Sequence, residues 1–120
     1  MKKILIIEDD PGISRAMKVV LSEEGYKVRT LLDGRLYRGE IEKFKPDIVF
    51  LDLLMSGSDG RVVCLRIKNN PKTKDIKVVM VSAHPLAKES ISKCGADDFL
   101  AKPFEMEDLI AIAEKYSGKK

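Results

Sequence analysis

The chain has 120 residues, 44% hydrophobic and 34% charged, enough for one core-bearing domain and too little for two ordinary ones. Its 22 basic and 19 acidic residues are interspersed, for a net charge of +3. This pattern speaks against a nucleic-acid footprint, which gathers its basic residues on one face, and no apolar run approaches the length of about 18 residues that a membrane span needs. The densest basic stretch, 68–77, is broken by Pro71 and Asp75 and reads as a loop. Cys64 and Cys94 stand 30 positions apart, without paired spacing, on the apolar sides of expected helices; reduced core thiols are the reading. Met1-Lys2-Lys3 before Ile4-Leu5-Ile6-Ile7 is too short an imitation of a signal peptide, and acid follows it at once, so the expected compartment is the cytoplasm.

In chain order, residues 3–7 form a continuous apolar run that ends in Glu8-Asp9-Asp10. Such runs read as strands covered on both faces. Asp10 before Pro11 is a helix start, an N-cap oxygen followed by a residue with no N–H to leave unsatisfied. Ile13, Ala16, Met17, Val20 and Leu21 then recur at helical spacing, and Gly25 closes the helix. Residues 26–32 predict a more exposed strand, with a turn at Asp33-Gly34. Residues 35–44 predict a weaker helix with Leu36, Tyr37, Ile41 and Phe44 on its apolar side. Ile48-Val49-Phe50-Leu51 is a second buried strand, ending in Asp52. A loop over 53–59 turns at Gly60 into a short helix carrying Val62, Val63, Leu65 and Ile67. Val78-Val79-Met80-Val81 is a third apolar strand, ending at Ser82. A short helix is expected over 86–94, stopped by Gly95, and a brief strand over 98–101 runs into Lys102-Pro103. The last helix is striped by Phe104, Leu109, Ile112, Ala113 and Tyr116, and Glu105, Glu107 and Asp108 in its first turn suit its dipole.

Strand and helix alternate five times, the pattern of an α/β parallel sheet covered by helices on both faces. Sheets of this kind bind ligands beyond the carboxyl ends of their strands. The chemically informative residues sit at those ends: Glu8 and Asp9 after the first strand, Asp52 on the third, Ser82 on the fourth and Lys102 after the fifth. An ionised aspartate inside a buried strand would be costly, and it is tolerable only at the strand's mouth. Three carboxylates in one pocket repel unless a cation joins them, and a hard ion such as Mg²⁺ fits such a donor set. A hydroxyl and an ammonium opposite could hold the oxygens of an anion. Together these groups describe a site for placing a phosphoryl group on Asp52.

The blocks Ile4-Leu5-Ile6-Ile7-Glu8-Asp9-Asp10 and Pro46-Asp47-Ile48-Val49-Phe50-Leu51-Asp52 resemble the receiver domain of two-component response regulators. So do Met55 with Asp59-Gly60, Val81-Ser82-Ala83, and the run from Gly95-Ala96-Asp97-Asp98-Phe99 to Leu100-Ala101-Lys102-Pro103-Phe104. The blocks come in the family's order over essentially the whole of residues 1–120, which the resemblance makes one receiver domain. It implies a flavodoxin-like doubly wound sheet of strand order 2-1-3-4-5. It implies that Asp52 accepts a phosphoryl group from a sensor histidine kinase or a histidine phosphotransfer protein, as a regulator and not an enzyme. Asp9, Asp52, Glu8 (directly or through water) and the backbone carbonyl of Leu54 would hold Mg²⁺, with Mn²⁺ as a substitute. Ser82 would bond the phosphoryl group and Lys102 pair with it. Phe99 would move inward as Ser82 is drawn over, shifting the packing of the last strands and helices towards a downstream target or output domain.

Departures from the family pattern are specific. Ser56 replaces a proline, Glu8 replaces an aspartate, and the stretch between Ser82 and Lys102 is about half a helical turn short, which trims the fourth helix. Leu54 and His84 occupy positions that in this family modulate the lifetime of the phosphoryl group. Asp10 reads as a cap and not a ligand. Two other functions stand beside the receiver reading: a degenerate receiver acting as a phosphorylation-independent binding module, and an aspartate-dependent phosphatase. The first usually lacks an acidic residue or the lysine, and the second needs an aspartate where Leu54 stands. No direct contact of this domain with nucleic acid or membrane is expected, and the sequence leaves a homodimer open.

Overall fold

A computed structural model of the chain describes residues 2–55, 57–83, 89 and 93–118. Its first half holds β1 (Lys3–Ile7), α1 (Pro11–Glu23), β2 (Lys27–Leu31), a 3-10 turn (Gly34–Leu36), α2 (Tyr37–Phe44) and β3 (Ile48–Asp52). A ribbon of β4 (Leu54–Met55) and β5 (Ser58–Asp59) leads into α3 (Gly60–Asn69), β6 (Lys77–Ser82), β7 (Asp98–Ala101) and α4 (Met106–Ser117). The main sheet has five strands in the order β2-β1-β3-β6-β7, all parallel. With the small antiparallel ribbon set aside, this is the doubly wound order 2-1-3-4-5. Among the described residues, no helix is long and apolar enough to cross a membrane.

The apolar runs are continuous because each strand has to feed two cores. Ile4, Ile6, Ile48, Phe50, Val79 and Val81 point to one face, where Met17 and Leu21 of α1 and Leu109 and Ala113 of α4 cover them. Leu5, Ile7, Val49, Leu51, Val78 and Met80 point to the other, under Tyr37, Ile41 and Phe44 of α2 and Val63, Cys64 and Ile67 of α3. Period-two alternation within an all-apolar run thus serves both layers at once. The Asp10 carboxylate accepts the N–H groups of Gly12 and Ile13 at 2.9 and 3.1 Å, which makes it the cap of α1. Beyond the other end of that helix, Gly25 takes the left-handed conformation, with φ 96°.

Three local expectations change. Helical spacing over 35–44 puts Leu36 on the apolar side, but the residue is 61% exposed. The Asp33 carboxylate caps a 3-10 turn through the Arg35 N–H, and the α-helix begins only at Tyr37, which leaves Leu36 facing outward. On α3, Val62 and Leu65 are each 44% exposed. The buried stripe is Gly60, Val63, Cys64 and Ile67, and residues at helical offsets of −1 and +2 from Val63 cannot share its face. The loop over 53–59 contains the ribbon. The helix expected over 86–94 lies mostly outside the described residues, as does Ser56. Cys94 itself is buried, the Cys64 thiol donates to its carbonyl at 3.4 Å, and neither cysteine is in a disulfide.

Gly60 ties this architecture to the end of β3. Its N–H donates to the Leu53 carbonyl at 2.8 Å. A Cβ at that position would lie 2.2 Å from the backbone oxygen of Asp52 and 2.9 Å from Leu53 Cα, so only glycine allows α3 to start this close. Gly39, in α2, has nothing within 4 Å of such a Cβ. Urea denaturation is expected to show Gly60→Ala less stable by about 2–4 kcal/mol and Gly39→Ala more stable by about 0.5–1 kcal/mol. Equal effects of the two substitutions would contradict the assignment of Gly60 to close backbone contact.

Candidate functional site

Because the five strands are parallel, their carboxyl ends share one edge. β1 delivers Glu8 and Asp9 to it, β3 delivers Asp52, β6 delivers Ser82 and β7 delivers Lys102. The backbone links neighbouring members: Leu53 N–H donates to the Val81 carbonyl at 3.0 Å, and Lys102 N–H to the Ser82 carbonyl at 2.9 Å. The Lys102–Pro103 peptide is cis.

Glu8, Asp9 and Asp52 can each present a carboxylate oxygen within 4.8 Å of the other two. Glu8 is 2% exposed and Asp52 7%. The Lys102 ammonium enters the same space, 2.6 Å from Glu8 Oε1 and 3.5 Å from Asp52 Oδ2. Glu8 Oε2 accepts the Asp10 N–H at 3.0 Å, so the α1 cap also steadies the cluster. Burial is the largest influence on Asp52, and the adjoining Glu8 carboxyl adds repulsion and a hydrogen bond. Attraction to Lys102 and a backbone hydrogen bond at Leu54 offset these only in part, and the Asp52 pKa is pushed up to about 6. For Lys102, burial favours the neutral amine, but its bonds and attraction to Glu8 and Asp52 outweigh burial and raise its pKa. With all four groups ionised, Glu8, Asp9, Asp52 and Lys102 together carry a net charge of −2. An oxygen-rich, doubly negative pocket of this kind suits a hard divalent cation.

The remaining candidates sit around this group. Ser82 is 4% exposed at the tip of β6. Phe99, on β7, is partly buried against the core beneath α2 and α3. Leu54 holds its side chain 59% exposed on the ribbon beside Asp52. His84 lies outside the described residues. Two contributions went unread in the sequence. The Asp10 N–H on Glu8 carried no signal, because Asp10 was legible only as a cap. Gly60 was legible as a turn, and its packing on the Asp52 carbonyl emerges only in three dimensions.

Known proteins share the sequence and the fold of this chain. The model of the response regulator receiver domain matches residues 4–114. Over 113 residues the chain is 38% identical to the DNA-binding dual master transcriptional regulator RpaA of Synechocystis sp., covering 92% of this chain and 47% of that one. Over 116 residues it is 36% identical to the nitrogen assimilation regulatory protein NtrX of Azorhizobium caulinodans, covering 93% of this chain and 25% of that one. The chain thus spans about half the length of RpaA and a quarter of NtrX. Among solved structures, the signal receiver domain of a DNA binding response regulator from Colwellia psychrerythraea superposes with a TM-score of 0.91 at 28% identity, covering 99% of this chain and 100% of that one. The Vibrio cholerae chemotaxis protein CheY4 superposes with a TM-score of 0.89 at 25% identity, covering 97% and 98%. With nearly all of its length matched in sequence and in fold, the chain belongs to the response regulator receiver domain family.

Proposed function

We propose that Asp52 accepts a phosphoryl group from a phosphohistidine of a sensor histidine kinase or phosphotransfer protein, and that residues 1–120 act as one cytoplasmic signalling unit. The observation that carries this reading is the meeting of Glu8, Asp9, Asp52 and Lys102 at one sheet edge, with the ammonium 3.5 Å from Asp52. An Asp52 oxygen attacks phosphorus as the phosphorus–nitrogen bond to the donor histidine breaks, and the imidazole keeps the electron pair. Lys102 draws negative charge on the transferred group towards itself, and Ser82 donates a hydrogen bond to it. Glu8, Asp9, Asp52 and the Leu54 carbonyl would hold Mg²⁺, or Mn²⁺ in its place. When bound there, the cation offsets the charge of the carboxylates and the phosphoryl oxygens.

An apolar groove of about 420 Å³ opens beside Lys102, lined by Ile13, Ala16, Met17, Phe104 and Met106 among others. It supports the docking of a helical, histidine-bearing donor next to the acceptor. Phosphorylation adds roughly −1.5 to −2 charges at one carboxylate. Ser82, tied through its carbonyl to Lys102, and Phe99, half-buried on β7, form the proposed switch through which that charge reaches a downstream target or output domain. Leu54 and His84 are assigned to the lifetime of the phosphoryl group.

Two measurements test the reading. Intact-protein mass after incubation with acetyl phosphate is expected to show one phosphoryl adduct that needs Mg²⁺ and is missing from Asp52→Ala. If rapid hydrolysis removes the adduct, beryllofluoride with Mg²⁺ is expected to bind the parent and not the variant. Failure of both would favour a phosphorylation-independent binding module. The second measurement follows from the charge crowding at Asp52. Folded Asp52 keeps its proton up to about pH 6, whereas an unfolded aspartate loses it near 3.8, so the native state holds the proton more tightly and stability falls as pH rises through that window. In chelator, Asp52→Asn is therefore expected to be more stable than the parent by about 1–2 kcal/mol near pH 7.5, a figure discounted for the water that reaches the open edge. In urea titrations that advantage should vanish on acidification to about pH 4. A constant advantage across the range would show that charge at Asp52 is not its cause.

A further inference from the structure

Helices α2 and α3 cover the same face of the sheet and leave a groove between them. It consists of two cavities of about 330 and 320 Å³ that share Ile41, Glu42 and Thr73 in their linings. The floor is apolar: Ile41, Pro46 and Ile67 are buried and Ile76 is half-buried. Pro46 and Ile76 stand just before β3 and β6, so the groove opens at the amino edge of the sheet, at the other end of the strands from Asp52. The rim is basic. Arg38, Lys45, Arg66 and Lys72 are all exposed along it, against Glu42 as the acid among the lining residues. These five carry +3, as much as the net charge of the whole chain. The C-termini of α2 and α3 offset about half a charge each and leave the groove roughly +2.

Among the described residues, none of these four cations is in an ion pair, whereas Arg29, Arg35, Arg61, Lys68, Lys102 and Lys115 each are. Arg38 donates to the neutral Tyr37 hydroxyl at 3.3 Å. It also stands in the first turn of α2, the end of a helix that disfavours a cation. Lys45 is costly in a different way. It follows α2 with φ 52° and ψ 62°, the one positive-φ residue other than glycine among those described. Glycine would hold this cap without the clash of a Cβ, and the lysine keeps the clash and brings an ammonium to the groove. We propose that the groove between α2 and α3 is a docking site for an acidic amphipathic segment of a partner protein. Its carboxylates pair with Arg38, Lys45, Arg66 and Lys72, and its apolar side chains cover Ile41, Ile67 and Ile76. A nucleic acid fits less well, because the floor is apolar and Glu42, shared by both cavities, stands midway along a phosphate track. A peptide can set an amide or a lysine there. The proposal does not depend on the chemistry assigned to Asp52.

The probe is a synthetic amphipathic peptide of about three helical turns, the length of α3, with glutamates on both flanks of a leucine stripe. It is titrated into the ¹⁵N-labelled full chain. Amide shifts are expected to concentrate at Arg38, Ile41, Lys45, Arg66 and Thr73, and binding is expected to weaken with added salt. The double variant Arg38→Gln/Arg66→Gln and a control peptide with glutamine for glutamate are each expected to bind about five- to tenfold more weakly. Equal binding of the control peptide, shifts centred on the groove beside Lys102, or no binding at all overturns the proposal. So does a single-stranded oligonucleotide of equal charge that shifts the same residues and binds more tightly. The shift map is read on the parent and does not depend on how the variants fold. Lys45→Gly separates binding from folding: its urea midpoint is expected to rise while the peptide binds about two- to fivefold more weakly. A lysine that served only as a cap would leave the affinity unchanged, and that result removes Lys45 from the site.

Discussion

Everything at the functional edge depends on one electrostatic constraint: among the described residues, the carboxylates of Glu8, Asp9 and Asp52 share a pocket with the Lys102 ammonium. Glu8 and Asp52 are almost wholly buried, so water cannot screen them well. The same burial that makes the cluster unfavourable makes any incoming positive charge valuable. Lys102 answers part of that demand and leaves the rest, and a site left partly compensated is one that a cation and a phosphoryl group can enter and leave. A fully neutralised cluster would be more stable and would have little reason to bind either.

The fold holds this strain by making its supports rigid. Each carboxylate sits at or just beyond the end of a strand that is buried on both faces, so the strands cannot slide to relieve repulsion without exposing two cores. The loops between are tied down locally. Asp10 caps α1 and turns its N–H onto Glu8, while Gly60 lets α3 begin against the carbonyl of Asp52. The ribbon after Asp52 uses two residues on each side to pair the chain antiparallel beside that carboxylate. Local caps and close approaches thus carry the cost of an electrostatically unfavourable site, and the proposed chemistry draws on that arrangement.

The chain belongs to the receiver family, and Glu8 stands beside Asp9 at the end of its first strand. Glu8, proposed above as one of the residues that would hold a cation, is also the nearer of the two carboxylates to Lys102, at 2.6 Å against 3.5 Å for Asp52. The apolar groove formed by residues of α1 and of the chain entering α4 also has Lys102 in its lining, so this lysine joins the groove to the charged cluster.

The linear sequence was enough to determine the alternation of strands and helices, the parallel sheet and the edge on which the site would form. Each of these follows from a local signal: an all-apolar run for a two-faced strand, a cap before a helix, and a carboxylate, hydroxyl or lysine just past a strand end. Misreadings arose where local signals conflict. Leu36 is apolar but stands in a 3-10 turn capped by Asp33, and Val62 and Leu65 are apolar on the outer side of a helix whose buried face was already filled. Only the tertiary structure decided which acid the lysine approaches, which backbone group steadies Glu8, and why residue 60 is glycine. The lysine reaches Glu8 across 94 residues of chain, at 2.6 Å against 3.5 Å from Asp52, while the Asp10 and Gly60 contacts join near neighbours whose approach is set by how the strand ends and the following helices pack, and no local pattern in the chain encodes differences that small.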